Sequence, residues 1–376
     1  MTKSRHILFV VNVCWFFISH RLVLAQACLA NGWRVTLLTA GATPAERELL
    51  EQKGVQLIDI DIKRSGPGLS DVRLLHGLIR HFRQLRPDLV HLVTIKPVIF
   101  GGLAARLAKL PAVVYAISGL GYTFIADGMM SKLRRWLIVR LYRAALNHPN
   151  STTIFQNPDD RSSFVDARIT TRDRSVLIKG SGVDTRRLQP TPSPDGVAKI
   201  VLPARMLRDK GVYEFAAAAK KLREKGHVGE FILAGGIDLN NPAHISENEI
   251  RDLEDKYGVV WLGHVDDMDA LFAEASIVCL PSYREGLPKS LLEAAAAGRA
   301  IVTTDVPGCR EVVIHGDNGL LVRKGDVDTL AVALESLLND RSMLLTMGTQ
   351  GRKMAEKLWD VRTIAAQTAE VYEALL

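Results

Sequence analysis

Cysteine is sparse in this 376-residue chain: Cys14, Cys28, Cys279 and Cys309 stand far apart, with no CxxC pair among them. That spacing indicates neither a zinc site nor a disulfide scaffold and leaves reduced thiols of the kind a cytosolic protein keeps. The ten histidines are scattered, without the clustering that metal ligation needs, so no metal site is expected. Aromatic residues make up only 6% of the chain and no recognised nucleic-acid motif accompanies them, so nucleic acid is not expected as a partner. Long apolar runs are missing too. Outside the N-terminus the longest uncharged stretch, residues 110–126, holds Pro111, Gly119 and Gly121 and falls short of the roughly 20 apolar residues a spanning helix needs. No transmembrane helix is expected. Low-complexity tracts are absent from the sequence, and 47% hydrophobic with 24% charged residues is a globular balance, in a chain long enough for two domains.

The stretch HILFVVNVCWFFISHRLVLAQA, residues 6–27, has the basic tip, apolar run and closing Ala-Gln-Ala of an export signal. Asn12 interrupts the run, however, and His20-Arg21 separates it from the small residues. Residues 20–31 read as a helix closed by Gly32, and residues 34–39 (RVTLLT) as a buried strand, which makes one βαβ unit. Cleavage after Ala27 would cut that helix and discard the opening strand, so the stretch is read as the start of a cytoplasmic enzyme.

Short β-branched runs alternate with helical segments at 7–11, 34–39, 55–60, 89–93, 113–117 and 152–155. They resume at 200–203, 231–234, 259–262, 277–280 and 300–303. Such alternation predicts two successive α/β domains with parallel sheets. Pro190, Pro192 and Pro194 mark a linker at 186–196. Ligands of open α/β sheets bind beyond the carboxyl ends of the strands, so a cleft between the domains is the expected site. Net charge is uneven: residues 1–185 hold 25 Lys and Arg against 13 Asp and Glu, residues 186–376 hold 23 against 28. The basic half should meet something anionic.

In the second half, PARMLRDKG places Arg205 and Lys210 between a strand and a helix, where two cations beside free helix amides can receive a diphosphate. On this stretch alone a solvated loop with two surface cations fits as well. PSYREGLPKSLLEAAAAGRAIVTTD, residues 281–305, passes through a Gly286-Leu287-Pro288 turn into a helix that starts at Pro288 and is closed by Gly298. Glu293, one and a half turns in, can lean back toward the loop that holds Glu285. Each carboxylate can accept hydrogen bonds from vicinal hydroxyls, although two solvated acids would give the same pattern.

Taken together, strand, Gly-Pro turn, alanine-rich helix and the upstream Arg-Lys pair resemble the nucleotide-sugar half of the retaining GT-B glycosyltransferases of family four. Glu285 and Glu293 match that family's EX7E motif, and residues 305–322 (DVPGCREVVIHGDNGLLV) look like its segment after the next strand. The resemblance covers nearly the whole chain. It implies an α/β GT-B fold, two Rossmann-like doubly wound domains facing a central cleft. Residues 1–185 would be the acceptor-binding, membrane-facing domain and 186–359 the nucleotide-sugar domain, with a last helix at about 360–376 free to pack back on the first. By the same resemblance, Arg205 and Lys210 bind the donor diphosphate and Glu293 the ribose. Glu285 holds the transferred sugar, and the Gly286, Leu287, Pro288 and Lys289 segment helps bind phosphate or sugar. The donor is a UDP-sugar, N-acetylhexosamine being favoured, and no divalent metal or other cofactor is required.

Two departures from the commonest family pattern, NVCWFFISHR (12–21) in place of a Gly-Gly loop and Ser118 in place of a histidine, resemble the subgroup that builds capsule, O-antigen and N-glycan oligosaccharides on polyprenyl diphosphate. That implies a polyprenyl diphosphate-linked acceptor and a peripheral position on the inner face of the cell membrane. Residues 14–21 are read as a loop facing the acceptor, with Ser19 and His20 at the helix start, His20 meeting phosphate or sugar or merely capping. Lys96 lies beyond a strand end, and Ser118 and Gly119 beyond the next; His91 reads as a packed core histidine. On the helix at 131–148, Lys132, Arg135, Arg140 and Arg143 fall on one side with Trp136, and Leu133, Leu137, Leu141 and Ala144 on another, a pattern suited to an anionic membrane surface or to a solvated face. Arg73, His76, Arg80 and Arg83 form a second basic stripe. The competing functions are a sugar-nucleotide epimerase or hydrolase on the same fold, and a non-catalytic membrane scaffold.

Overall fold

The computed structural model of the protein describes residues 4–62, 68–119 and 129–376, with the backbone alone at 69 and 129–134. Two compact units divide the chain: Met1–Ser181 with Arg362–Leu376, and Gly182–Val361.

The first unit begins β1 (His6–Val10), α1 (Cys14–Ala30), β2 (Arg34–Thr39), α2 (Pro44–Gln52), β3 (Gln56–Asp59), α3 (Leu69–Leu85) and β4 (Leu89–Val93). It continues α4 (Gly102–Ala108), β5 (Ala112–Ile117), α5 (Met129–Leu146), β6 (Ser151–Phe155), α6 (Pro158–Asp166) and β7 (Ser175–Leu177). All pairings are parallel among these strands, in the order β3-β2-β1-β4-β5-β6-β7, and the winding reverses between β1 and β4. Ile7 and Phe9 enter one core while Leu8 and Val10 enter the other. A strand buried on both faces is apolar at every position, which is why this stretch mimics a signal sequence.

The second unit runs β8 (Ala198–Pro203), α7 (Val212–Glu224), β9 (Gly229–Ala234), α8 (Glu247–Tyr257), β10 (Val260–Trp261), α9 (Met268–Glu274) and β11 (Ile277–Leu280). After these come α10 (Lys289–Ala296), β12 (Ala300–Thr304), β13 (Gly319–Val322), α11 (Val327–Asn339) and α12 (Arg341–Leu358). Its parallel sheet has the order β10-β9-β8-β11-β12-β13, with the reversal between β8 and β11. Ile200 and Leu202 face one core and Val201 the other, so this sheet too is covered on both sides.

The last helix, α13 (Val361–Glu373), packs within the first unit. Tyr372 is fully buried there and hydrogen-bonds His91 Nδ1, Arg5 pairs with Glu373 at 2.5 Å, and Asn150 Nδ2 donates to the Leu375 carbonyl at 2.9 Å.

Three readings of the sequence are corrected. The segment 186–196 is no linker: it lies inside the second unit, because buried Arg299 donates to the Thr191 carbonyl (2.8 Å) and Arg352 to the Leu188 carbonyl (2.6 Å). Residues 14–21 are no loop, since α1 starts at Cys14. On α5 the apolar side is misassigned. Tyr142, Ala145 and Leu146 enter the core with Leu141 at its edge, whereas Leu137 is 49% exposed and Ala144 is also exposed.

Candidate functional site

The carboxyl ends of β8 and β11 flank the reversal of the second sheet, where a ligand crevice is expected. Both carry charge. After β8 the chain passes Arg205, makes a 3-10 turn over Arg208–Lys210, and enters α7 through Gly211. Gly211 has φ +74°, and a Cβ there would lie 2.3 Å from the Pro281 carbonyl oxygen, so glycine lets this turn press against the loop after β11. That contact brings Lys210 Nζ to within 2.5 Å of Glu285 Oε1, a pair largely withdrawn from solvent. Ser282 Oγ donates to the same carboxylate oxygen at 2.7 Å, and Tyr283 N to the Asp209 carbonyl at 2.9 Å.

Two acids at this edge were not read from the sequence. Asp238, beyond β9, pairs with Arg205 at 2.5 Å. Glu214, in the first turn of α7, accepts from the Tyr283 hydroxyl at 2.6 Å, and that bond together with burial pushes the phenol up to about 12. The Gly235-Gly236 pair was the available signal for the first. It allows the loop after β9 to close on the one after β8, where Met206 N donates to the Gly236 carbonyl at 3.0 Å.

Gly286, Leu287 and Pro288 lead into α10, with Pro288 at the N-cap and Lys289 the first helical residue. Pro288 has no N–H, so the amide donors at this end are those of its neighbours. Glu293, in the second turn, has its carboxylate 3.5 Å from Lys289 Nζ. Burial raises its pKa above the usual carboxylate range, against the opposing pull of Lys289 and Arg187. Gly308, after β12, packs against the loop that carries Glu285: at φ +84°, a Cβ would sit 2.6 Å from the Glu285 carbonyl oxygen. The second unit therefore brings Lys210, Glu285 and the start of α10 together, with Arg205 beside them on the neighbouring strand end.

The first-unit candidates are spread more widely. Lys96 follows β4, and its Nζ pairs with Asp71 of α3 at 2.8 Å, both side chains mostly buried. Ser118 and Gly119 follow the adjacent β5. Ser19 and His20 do not mark a helix start: they lie in the second turn of α1, where the His20 ring stacks on Phe16 at 4.0 Å. Of the expected membrane-facing residues, Arg135, Trp136 and Arg140 are exposed on α5, with Arg140 over the Trp136 ring at 4.6 Å. Arg143 is engaged by the Ala167 carbonyl (2.6 Å), and the Lys132 side chain lies outside the described residues. Arg73, His76, Arg80 and Arg83 line an exposed face of α3. Among the described residues, no group of three or more His, Cys, Asp or Glu side chains could hold a metal ion, and no helix is long and apolar enough to cross a membrane.

Two doubly wound parallel sheets, with a charged pair at the reversal of the second, are what a GT-B glycosyltransferase requires. Comparison with known proteins agrees. A sequence model described as "Glycosyl transferases group 1" matches residues 198–340, and one described as "Glycosyl transferase 4-like" matches 6–157. The chain is 28% identical over 312 residues, 80% of each chain, to the N,N'-diacetylbacillosaminyl-diphospho-undecaprenol alpha-1,3-N-acetylgalactosaminyltransferase of Campylobacter jejuni. It is 23% identical over 286 residues to the UDP-Gal:alpha-D-GlcNAc-diphosphoundecaprenol alpha-1,3-galactosyltransferase of Escherichia coli, covering 73% of this chain and 72% of that one. In fold it is similar to Anabaena Alr3699/HepE, solved with UDP and glucose, with a TM-score of 0.77 at 20% identity over 98% of this chain and 99% of that one. The chain belongs to the group 1, 4-like glycosyltransferases, the GT-B enzymes of family four, and is a hexosyltransferase.

Proposed function

We propose that the protein transfers a sugar, an N-acetylhexosamine by preference, from a UDP-linked donor to a saccharide carried on polyprenyl diphosphate, with retention of anomeric configuration. The observation that carries this reading is the Lys210–Glu285 pair at the reversal of the second sheet, with Arg205 alongside. Each cation is paired with an acid, Lys210 with Glu285 and Arg205 with Asp238. A donor diphosphate would take Lys210 and Arg205 from Glu285 and Asp238, and the released Glu285 carboxylate would accept from the sugar hydroxyls. Partner exchange of this kind keeps both cations paired and gives the Glu285 carboxylate hydroxyl donors in place of Lys210, which limits the cost of binding. In the transition state the same two cations and the amides leading into α10 would stabilise charge growing on the leaving diphosphate, the role a magnesium ion has elsewhere. Glu293, further along α10, would hold the ribose hydroxyls. Retention in this family is described as front-face transfer in which the donor phosphate helps deprotonate the acceptor, so no side chain need act as nucleophile.

The acceptor reading is supported by the printed activities of the two enzymes above, both of which use diphospho-undecaprenol saccharides. A lipid-linked acceptor places the enzyme at the cytoplasmic face of a membrane, and the exposed Arg135, Trp136, Leu137 and Arg140 of α5 are the surface proposed to meet it. The test is UDP release from a panel of UDP-sugars, with and without polyprenyl diphosphate-linked monosaccharide, in EDTA. Release that needs both substrates and survives EDTA is expected. Release without acceptor would indicate a hydrolase or epimerase instead.

A further inference from the structure

At the reversal of the first sheet two side-chain oxygens are buried without a hydrogen-bond partner: Asn12 Oδ1, beyond β1, and Thr94 Oγ1, beyond β4. The register pairs Val10 with Leu92, so Asn12 and Thr94 each stand two residues past the same rung of adjacent strands. Thr94 also carries backbone strain. Its φ is +75°, a left-handed conformation that β-branched residues rarely adopt and that glycine or asparagine takes at less cost. Its carbonyl accepts from Val98 N at 2.9 Å, which ties the strained turn to the helical segment that follows.

A strained threonine whose hydroxyl earns nothing within the fold is costly twice over, in backbone conformation and in an unmade hydrogen bond. Both costs fall at the one position of a doubly wound sheet where a ligand crevice opens. We infer that Asn12 and Thr94 are specificity-determining residues for the acceptor, their two oxygens reading hydroxyl or amide N–H groups of its terminal sugar. The inference rests on the acceptor reading proposed above and deepens it. The groups proposed above to bind the donor are all in the second unit, so the two residues stand apart from them.

A site built to hydrogen-bond a hydroxyl rejects the analogue that lacks it, because its own oxygens are then left unpaired. The experiment compares wild type with Asn12→Ala, Thr94→Gly and Thr94→Ser, using a short-chain polyprenyl diphosphate-linked N-acetylglucosamine and its monodeoxy analogues as acceptors. Asn12→Ala and Thr94→Gly are each expected to raise the acceptor KM about tenfold, the value of roughly one hydrogen bond. They should also erase the wild-type preference for the intact sugar over at least one monodeoxy analogue, with the donor KM moving less than twofold. Thr94→Ser keeps the hydroxyl and should keep both the KM and the preference. Thr94→Gly accepts φ +75° freely, so its Tm should equal or exceed that of wild type, which separates the readout from misfolding. Variants that change Tm but not acceptor KM or preference would overturn the inference alone, and would mean that the oxygens are satisfied by water. Wild type that is active with its UDP donor only toward acceptors without a polyprenyl diphosphate would overturn the functional reading, and this inference with it.

Discussion

Lys210 and Glu285 pair with one another in the structure and separate in the proposed complex, so stability and activity should respond differently to their replacement. Lys210→Met leaves Glu285 mostly buried without its cation and is expected to cost up to about 3 kcal/mol, read as a fall in Tm. Adding Glu285→Leu should recover most of that Tm, since an apolar pair suits the same space, while transfer stays down by about 10²-fold or more in both variants. Equal losses of stability and activity that recover together would mean the pair is merely structural. Glu293 offers a second separation. Its pKa is raised, chiefly by burial, so the folded protein binds its proton more tightly than the unfolded chain does. Stability from this group is therefore fully present below the ordinary carboxylate pKa and is lost as pH rises through the raised value. Glu293→Gln should raise Tm at neutral pH, the gain shrinking to nothing as pH falls below the ordinary carboxylate range, and should weaken donor binding measured by titration with UDP. A variant that is less stable than wild type at neutral pH would contradict this.

Between the ends of β11 and β12 the loop that carries Glu285 is held by close packing as well as by side-chain bonds. Gly308→Ala forces a Cβ against the Glu285 and Gly286 carbonyls at about 2.6–2.7 Å and strains φ as well, so the loop must shift. A fall in kcat of on the order of 10²-fold is expected for a 1 Å displacement, with donor KM rising in parallel. Unchanged kinetics would show that the loop position is not critical. Much of this arrangement could be read in the sequence. Runs such as Ile277–Leu280 are apolar at every position because both faces of the sheet are covered, and they stand out from their helical surroundings. Glu285, Lys210 and Arg205 were legible because each closely follows a strand or opens a helix. The start of α1 was not. Val13 supplies no side-chain cap, and Cys14 to Phe17 resume the apolar run of β1 after Asn12, so no capping signal marks where the helix begins. On α5 a misplacement of one residue, from Ile138 to Leu137, moved the expected apolar side by about 100°. β7 and β13, each at the edge of its sheet and only partly buried, were passed over. Asp238 and Glu214 were missed for another reason: their partners, Arg205 and Tyr283, are distant in sequence.

The proposed peripheral position makes a demand on charge that the first unit can be tested for. The basic excess falls in residues 1–185, and α3 and α5 of the first unit expose much of it. Exposed cations alone would fit any polyanion, but α5 adds Trp136, 54% exposed, and Leu137 beside Arg135 and Arg140. Tryptophan amid arginines suits a lipid interface, where the ring enters the headgroup boundary and each cation adds about 1 kcal/mol on an acidic leaflet. The two contributions differ in their response to salt, since a Debye length of roughly 8 Å at physiological ionic strength screens the charges and leaves apolar insertion untouched. Sedimentation with vesicles containing acidic phospholipid should therefore show binding that weakens as salt rises. Arg140→Glu should flatten that salt dependence, whereas Trp136→Ala should lower binding several-fold at every salt concentration. Both variants should act normally on a short-chain, water-soluble acceptor and poorly on a long-chain acceptor embedded in the vesicles. If transfer to the embedded acceptor is untouched in both, α5 is a solvated face and the membrane must be met elsewhere on the first unit, with the Arg73, His76, Arg80 and Arg83 stripe of α3 the next surface to change.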